Sequence, residues 1–273
     1  MTIAAYPFAS AGDFEHNLEQ MEEGIEKAAR AGARLLVFHE CALCGYPPIE
    51  TDITNVTERA VCSGLNRLSV LAEKYKLYLL VGTVSFHGGS GNTGAAAGAD
   101  ESSRFNSAVL IDPAGVQTVC YDKQALWGWD LDNFSRGQRP GIIEVDGFKI
   151  GVRICFDVRF PELFRPLYLE GVDACAVLFS DTQPEPSPGR FGIIQAHLIT
   201  RAVECLAPLI SVNSLSRVPT APTAVFDRRG GLAAQLDQGG DGLLTYELER
   251  QPLSFGEEGM RVNNEYFASG KAR

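Results

Sequence analysis

Apolar runs of strand length alternate along this chain with segments of helical period, and two tight turns break the alternation with hairpins. Residues 2–6 read as a short buried strand. Asp13 follows as an N-cap, and Phe14, Leu18, Met21, Ile25 and Ala29 recur at the spacing of one helical face. Gly32 is placed to end that helix. Residues 34–38 form the next predicted strand, a second helix falls within 56–75, and 77–86 is another strand. Asp112-Pro113-Ala114-Gly115 predicts a hairpin between 105–111 and 116–121, and Asp146-Gly147 a tighter one between 142–145 and 148–154. Then come a helix at 161–170, a strand at 174–179, a Pro-rich loop at 182–189, a helix at 191–206 and a strand at 209–213. Short strands at 223–226, 232–236 and 243–248 close the pattern. Helical crossovers bring strands parallel and hairpins bring them antiparallel, so a chain with both predicts a mixed-sheet α/β layer fold.

No linker or repeat divides the 273 residues, and one domain over 1–273 is expected, with its core at 3–248. Residues 249–273 read as a polar, irregular tail, and 87–103, rich in Gly, Ala and Ser, as a flexible surface loop. That loop lacks the Gly-x-Gly-x-x-Gly spacing and the Lys-Ser/Thr ending of a phosphate cradle. A net charge of −10 without a Lys/Arg-rich run argues against nucleic acid as a partner. The absence of 18 consecutive apolar residues argues against a membrane span. Residues 1–9 show no secretory signal, and seven scattered cysteines suit a reducing compartment, so a cytoplasmic protein is expected.

Three residues that carry chemistry stand just beyond predicted strands, where open α/β sheets place their sites: Glu40, Lys123 and Cys155. They offer a carboxylate base, an ammonium and a thiol. A free thiol is only a few per cent ionised at neutral pH, so a nucleophilic cysteine needs a base or a cation beside it. Glu40 can take the proton and Lys123 can hold the thiolate and then an oxyanion. Each also has a plain structural reading, a surface carboxylate or a packed thiol.

The local sequences separate these readings. Gly151-Val152-Arg153-Ile154-Cys155-Phe156-Asp157-Val158-Arg159-Phe160-Pro161-Glu162 resembles the nucleophile segment of the nitrilase, or carbon–nitrogen hydrolase, superfamily. Leu36-Val37-Phe38-His39-Glu40 is similar to its glutamate segment, and Tyr121-Asp122-Lys123-Gln124-Ala125-Leu126 to its lysine segment. Phe105-Asn106-Ser107-Ala108, Asp112-Pro113-Ala114-Gly115 and Arg201-Ala202-Val203-Glu204 before Asn213 follow in the family's order. The resemblance implies a four-layer αββα sandwich, a homodimer or higher oligomer, and a Glu40-Lys123-Cys155 triad that uses no cofactor or metal. It also implies that the backbone N–H of Phe156 joins Lys123 in holding the oxyanion.

A second carboxylate of the family maps onto Asp130, counted back from Gly137, with Asp132 as the alternative. Arg159 stands where some related amidases bind a substrate carboxylate, and it can equally pair with Glu162 or Asp157. Arg153 and Arg190 are weaker anchors, and His197 reads as a helix-face residue without a role. The family's usual residues are replaced at His39, Ala125, Ile194 and around Pro222-Thr223, which points to an atypical substrate pocket. Cys41 and Cys44 beside His39 have the look of half a metal site, but Cys62, Cys120, Cys175 and Cys205 supply no second pair, so packing is expected. Cys-Phe-Asp favours the amidase branch: hydrolysis of a small linear amide to acid and ammonia. An N-carbamoyl-amine hydrolase and a non-catalytic scaffold are the alternatives.

Overall fold

The computed structural model describes residues 1–87 and 103–269, so the loop expected at 87–103 lies, apart from its two ends, outside the described residues. The first half runs β1 (Thr2–Ala5), α1 (Phe14–Arg30), β2 (Leu35–Val37), α2 (Glu58–Tyr75), β3 (Tyr78–His87), β4 (Ser103–Ile111), β5 (Gln117–Asp122) and a single turn, α3 (Asp130–Asn133). The second half runs β6 (Ile142–Val145), β7 (Phe148–Ile154), α4 (Pro161–Leu169), β8 (Ala174–Phe179), β9 (Thr182–Gln183), α5 (Pro188–Cys205) and β10 (Leu209–Asn213). It ends with β11 (Val218–Pro219), β12 (Ala224–Phe226), β13 (Leu232–Gln235), β14 (Leu244–Glu247) and α6 (Phe255–Ala268).

Two six-stranded sheets result, ordered β14-β1-β2-β3-β4-β5 and β13-β12-β10-β8-β7-β6. Pairs joined through helices, β1–β2, β2–β3, β7–β8 and β8–β10, are parallel, while the hairpins β3–β4, β4–β5 and β6–β7 are antiparallel. The period-two alternation of a strand then sorts the side chains into layers. Ile3, Ala5, Leu35, Val37 and Leu80 of the first sheet meet Val152, Ile154, Ala176, Leu178 and Val212 of the second in a shared core. Ala4, Leu36 and Leu79 point the other way, against Leu18, Met21 and Ile25 of α1 and Leu65 and Leu68 of α2. Cys175, Val177 and Leu209 do the same for Phe164 and Leu167 of α4 and Ile194 and Leu198 of α5. This is the four-layer αββα sandwich. Each Leu or Ile buried in it contributes roughly 1.5–3 kcal/mol over exposure, and all seven cysteines are free thiols, so burial rather than cross-linking holds the layers.

Two expectations need correction. Residues 255–268 form a helix rather than an irregular tail; the Ser254 N–H donates to the Glu257 carboxylate at its start. That Ser-x-x-Glu spacing was present in the sequence, but Gly256 and Gly259 weakened the helical pattern around it. The Pro-rich loop at 182–189 is shorter than expected: β9 pairs with β11, and α5 begins at Pro188, where a missing N–H costs nothing.

Candidate active site

Glu40 follows β2, and the path of the chain there depends on Gly82 of the neighbouring β3. A Cβ on Gly82 would stand 2.0 Å from the carbonyl oxygen of His39, so only glycine lets the two backbones pass. Glu40 is 1% exposed, and its side chain accepts three hydrogen bonds. Asn106 Nδ2 and Lys123 Nζ each donate to Oε1 at 2.7 Å, and the backbone N–H of Ser180, just beyond β8 of the other sheet, donates to Oε2 at 2.8 Å. The Glu40 carboxylate is thereby held from both sheets at once.

Lys123 follows β5, its N–H donating to the Asn106 carbonyl at 2.8 Å and its own carbonyl accepting from Gly137 at 3.0 Å. Gly137 lies so close to Asp122 that a Cβ would fall 2.0 Å from its carbonyl oxygen. The ammonium has a second partner in Asp130 Oδ2 at 2.8 Å. Asp130 is fully buried; Tyr46 Oη donates to it at 2.8 Å and the Trp127 N–H at 3.0 Å. Asp132, the alternative, is exposed and takes no part. Cys155 closes the group. It follows β7 directly in the left-handed region, with φ of 47°, an uncommon backbone for a residue with a Cβ, and stands half-buried on the pocket wall with Lys123.

Two carboxylates, Glu40 and Asp130, face the single Lys123 ammonium in this buried cluster. Burial raises the Glu40 pKa and Asp130 adds to that, against the pull of Lys123 and Asn106. Burial alone would lower Lys123, but Glu40, Cys155 and Asp130 outweigh it and hold its pKa well above the ordinary value. Burial and Glu40 push the Cys155 thiol well up, with Lys123 opposing. The resting thiol therefore keeps its proton, and attack by sulfur requires a base in contact with the site. His39 is not that base: burial lowers its pKa to about 4, and its Nδ1 lies 3.0 Å from the Glu40 carbonyl oxygen.

The cluster opens into a cavity of about 270 Å³ lined by Cys155, Phe156, Arg159, Trp127, Asp181 and Arg190, among others. Arg190 makes a two-pronged ion pair with Asp181 at 2.7 and 2.8 Å, so its charge is matched inside the protein. Arg159 differs. Its guanidinium lies over the Phe156 ring, 5.5 Å from the centroid, and its buried Nε has no hydrogen-bond partner. Neither Glu162 nor Asp157 pairs with it among the described residues; Asp157 is taken up by Tyr121, Ala125 and Ile154. Arg153 is not an anchor, because its nitrogens donate to the carbonyls of Leu163, Pro140 and Val152. Cys41 and Cys44 are buried free thiols in the turn after Glu40.

Sequence reasoning missed Tyr46, Ser180 and Asp181 as parts of the site, and no local signal marked them. Asn106 lay in a segment recognised only as supporting the resemblance. Asp157 was considered only as a partner for Arg159.

Residues 2–254 match the carbon-nitrogen hydrolase family. Deaminated glutathione amidase of Synechocystis sp. is 28% identical over 222 residues, 75% of each chain. 2-Oxoglutaramate amidase of Bacillus subtilis is 30% identical over 209 residues, 74% of this chain and 72% of that one. Among solved structures, a mutant amidase from Nesterenkonia sp. AN1, showing Michael addition of acrylamide at its active site cysteine, superposes with a TM-score of 0.76. It is 23% identical and the match covers 91% of this chain and 93% of that one, a likeness of fold. With the four layers in place and the match running nearly end to end, the chain belongs to the carbon-nitrogen hydrolase family, within the nitrilase superfamily.

Proposed function

We propose that this carbon–nitrogen hydrolase cleaves a small linear amide to acid and ammonia through a thioester on Cys155. The observation that carries the reading is the buried Glu40–Lys123–Asp130 cluster at 2.7 and 2.8 Å, next to a thiol that rests protonated. Cys155 Sγ attacks the amide carbonyl as Glu40 takes the thiol proton. Lys123 and the N–H of Phe156 hold the oxyanion, a role worth roughly 3–4 kcal/mol for one such donor. The C–N bond then breaks, Glu40 returns the proton to nitrogen, and ammonia leaves. Water next attacks the thioester while Glu40 takes its proton; the acid departs and the thiol is restored. Asp130 keeps Lys123 charged and gives it a second anchor besides Glu40.

The relatives named as amidases support an amide rather than a nitrile substrate. The partnerless Arg159 Nε favours an acyl chain that ends in a carboxylate. An ammonia-release screen over short amides, ω-amides of dicarboxylic acids, carbamoyl compounds and nitriles tests the reading. Turnover of the amides is expected, with at least a 10³-fold loss in Cys155→Ala, on the order of the loss of one catalytic group. Ammonia release retained by Cys155→Ala would overturn the mechanism, and turnover of carbamoyl compounds alone would favour an N-carbamoyl-amine hydrolase.

A further inference from the structure

Asp157 lies two residues beyond Cys155, is fully buried, and is not part of the pocket lining. Its carboxylate is nevertheless surrounded by donors from both sides of the site. The N–H of Ile154, the last residue of β7, donates to Oδ2 at 3.0 Å, and Tyr121 Oη, from β5 of the other sheet, donates to the same oxygen at 2.9 Å. The N–H of Ala125, two residues beyond Lys123, donates to Oδ1 at 2.8 Å. One side chain thus joins the strand that leads into Cys155, the strand that leads into Lys123, and the loop that follows the lysine. The bond to Ile154 also closes the turn in which Cys155 takes its left-handed φ of 47°. Burial raises the Asp157 pKa, and the two backbone N–H groups, Lys123 and Tyr121 pull it back.

We propose that Asp157 is a positioning residue, which registers the Cys155 turn against the Lys123 segment across the two sheets while touching no reacting atom. Cysteine and lysine come from different sheets, so their separation depends on what joins those sheets locally, and Asp157 is one such join. The proposal rests on the reading of Cys155 as nucleophile.

Asp157→Asn tests it, because a carboxamide has one acceptor oxygen and cannot serve both the Ala125 and Ile154 N–H groups. The readouts are kcat and KM per folded molecule, the pH profile of Cys155 alkylation by iodoacetamide, and Tm. The expected result is a kcat lower by roughly 10- to 100-fold, the scale of an ångström's misplacement. KM should stay within about twofold, and alkylation should shift to higher pH as Lys123 withdraws from the thiol. A purely structural residue would lower Tm and leave kcat per folded molecule and the alkylation profile at wild-type values, and that result would overturn the proposal. Tyr121→Phe keeps both backbone bonds and decides the matter if Asp157→Asn does not fold: a kcat loss at unchanged KM supports the proposal, and wild-type kcat overturns it. Cys155→Ala is the control. If it is inactive while Asp157→Asn is normal, only the positioning role falls; if it is active, the nucleophile reading falls and takes this one with it.

Discussion

Lys123 is the residue on which the site turns, because three functions meet at one ammonium. It donates to Glu40, is held by Asp130, and lies beside Cys155 on the pocket wall. Breaking such a buried pair by removing one partner costs roughly 3–5 kcal/mol, so Lys123→Ala is a poor separator of catalysis from stability. Arg159 is a better probe, since it makes no ion pair among the described residues and its Nε has no hydrogen-bond partner. If it meets a substrate carboxylate, Arg159→Met removes a charge-assisted contact of about 1.5–3 kcal/mol. KM for acidic amides should then rise roughly 10- to 100-fold while KM for neutral amides stays within about twofold. Equal changes on both series would show that Arg159 shapes the pocket without reading charge.

At the level of elements, helices with strong periods and caps were legible, as for α1 with Asp13 and α2, whose Thr57 hydroxyl accepts from the Ala60 N–H. Helix α6 was not, because its stability comes from its cap and from other parts of the chain. Glu257 accepts from the Ser254 N–H and pairs with Arg228 and Arg229 at 2.7 and 3.1 Å, while Arg165 donates to Asn264 at 2.8 Å. Burial works to raise the Glu257 pKa, but the contacts with Ser254 and the two arginines bring it from 4.5 down to about 2. A depressed carboxylate stabilises the fold above its unfolded pKa, and that contribution is lost as pH falls through its folded one. Glu257→Gln should therefore lower Tm by roughly 2–4 °C near neutral pH. The gap should hold down to about pH 5 and close between about 4.5 and 2. Thermal melts from neutral to acid pH check this, and a gap already closed near pH 5 would count against the α6 cap.

For the whole molecule, resemblance to the family predicts a homodimer or higher oligomer. Phe255, Val262 and Phe267 on α6 are 98%, 52% and 60% exposed, more apolar surface than one isolated helix face usually leaves in water. Light scattering at micromolar concentration is expected to give at least twice the chain mass of 29.6 kDa, and a clean species at 29.6 kDa would refute the dimer. Among the described residues, no helix is long and apolar enough to cross a membrane.

The sequence by itself determined the alternation of strands and helices and the two hairpins, and it marked Glu40, Lys123 and Cys155 as candidates. Those are local facts: apolar period, turn chemistry, and short segments whose order along the chain can be read directly. What the tertiary structure decided is which groups meet. Asp130 rather than Asp132 reaches Lys123 because one turn of helix points the first inward and leaves the second in water. Ser180 holds Glu40 from 140 residues away, and Asp157 binds Tyr121 across the sheets instead of its neighbour Arg159. The physical reason is the inter-sheet core. Leu35 and Val37 share one buried core with Val152 and Ile154, which holds the two sheets together, and no pattern within either strand encodes that approach.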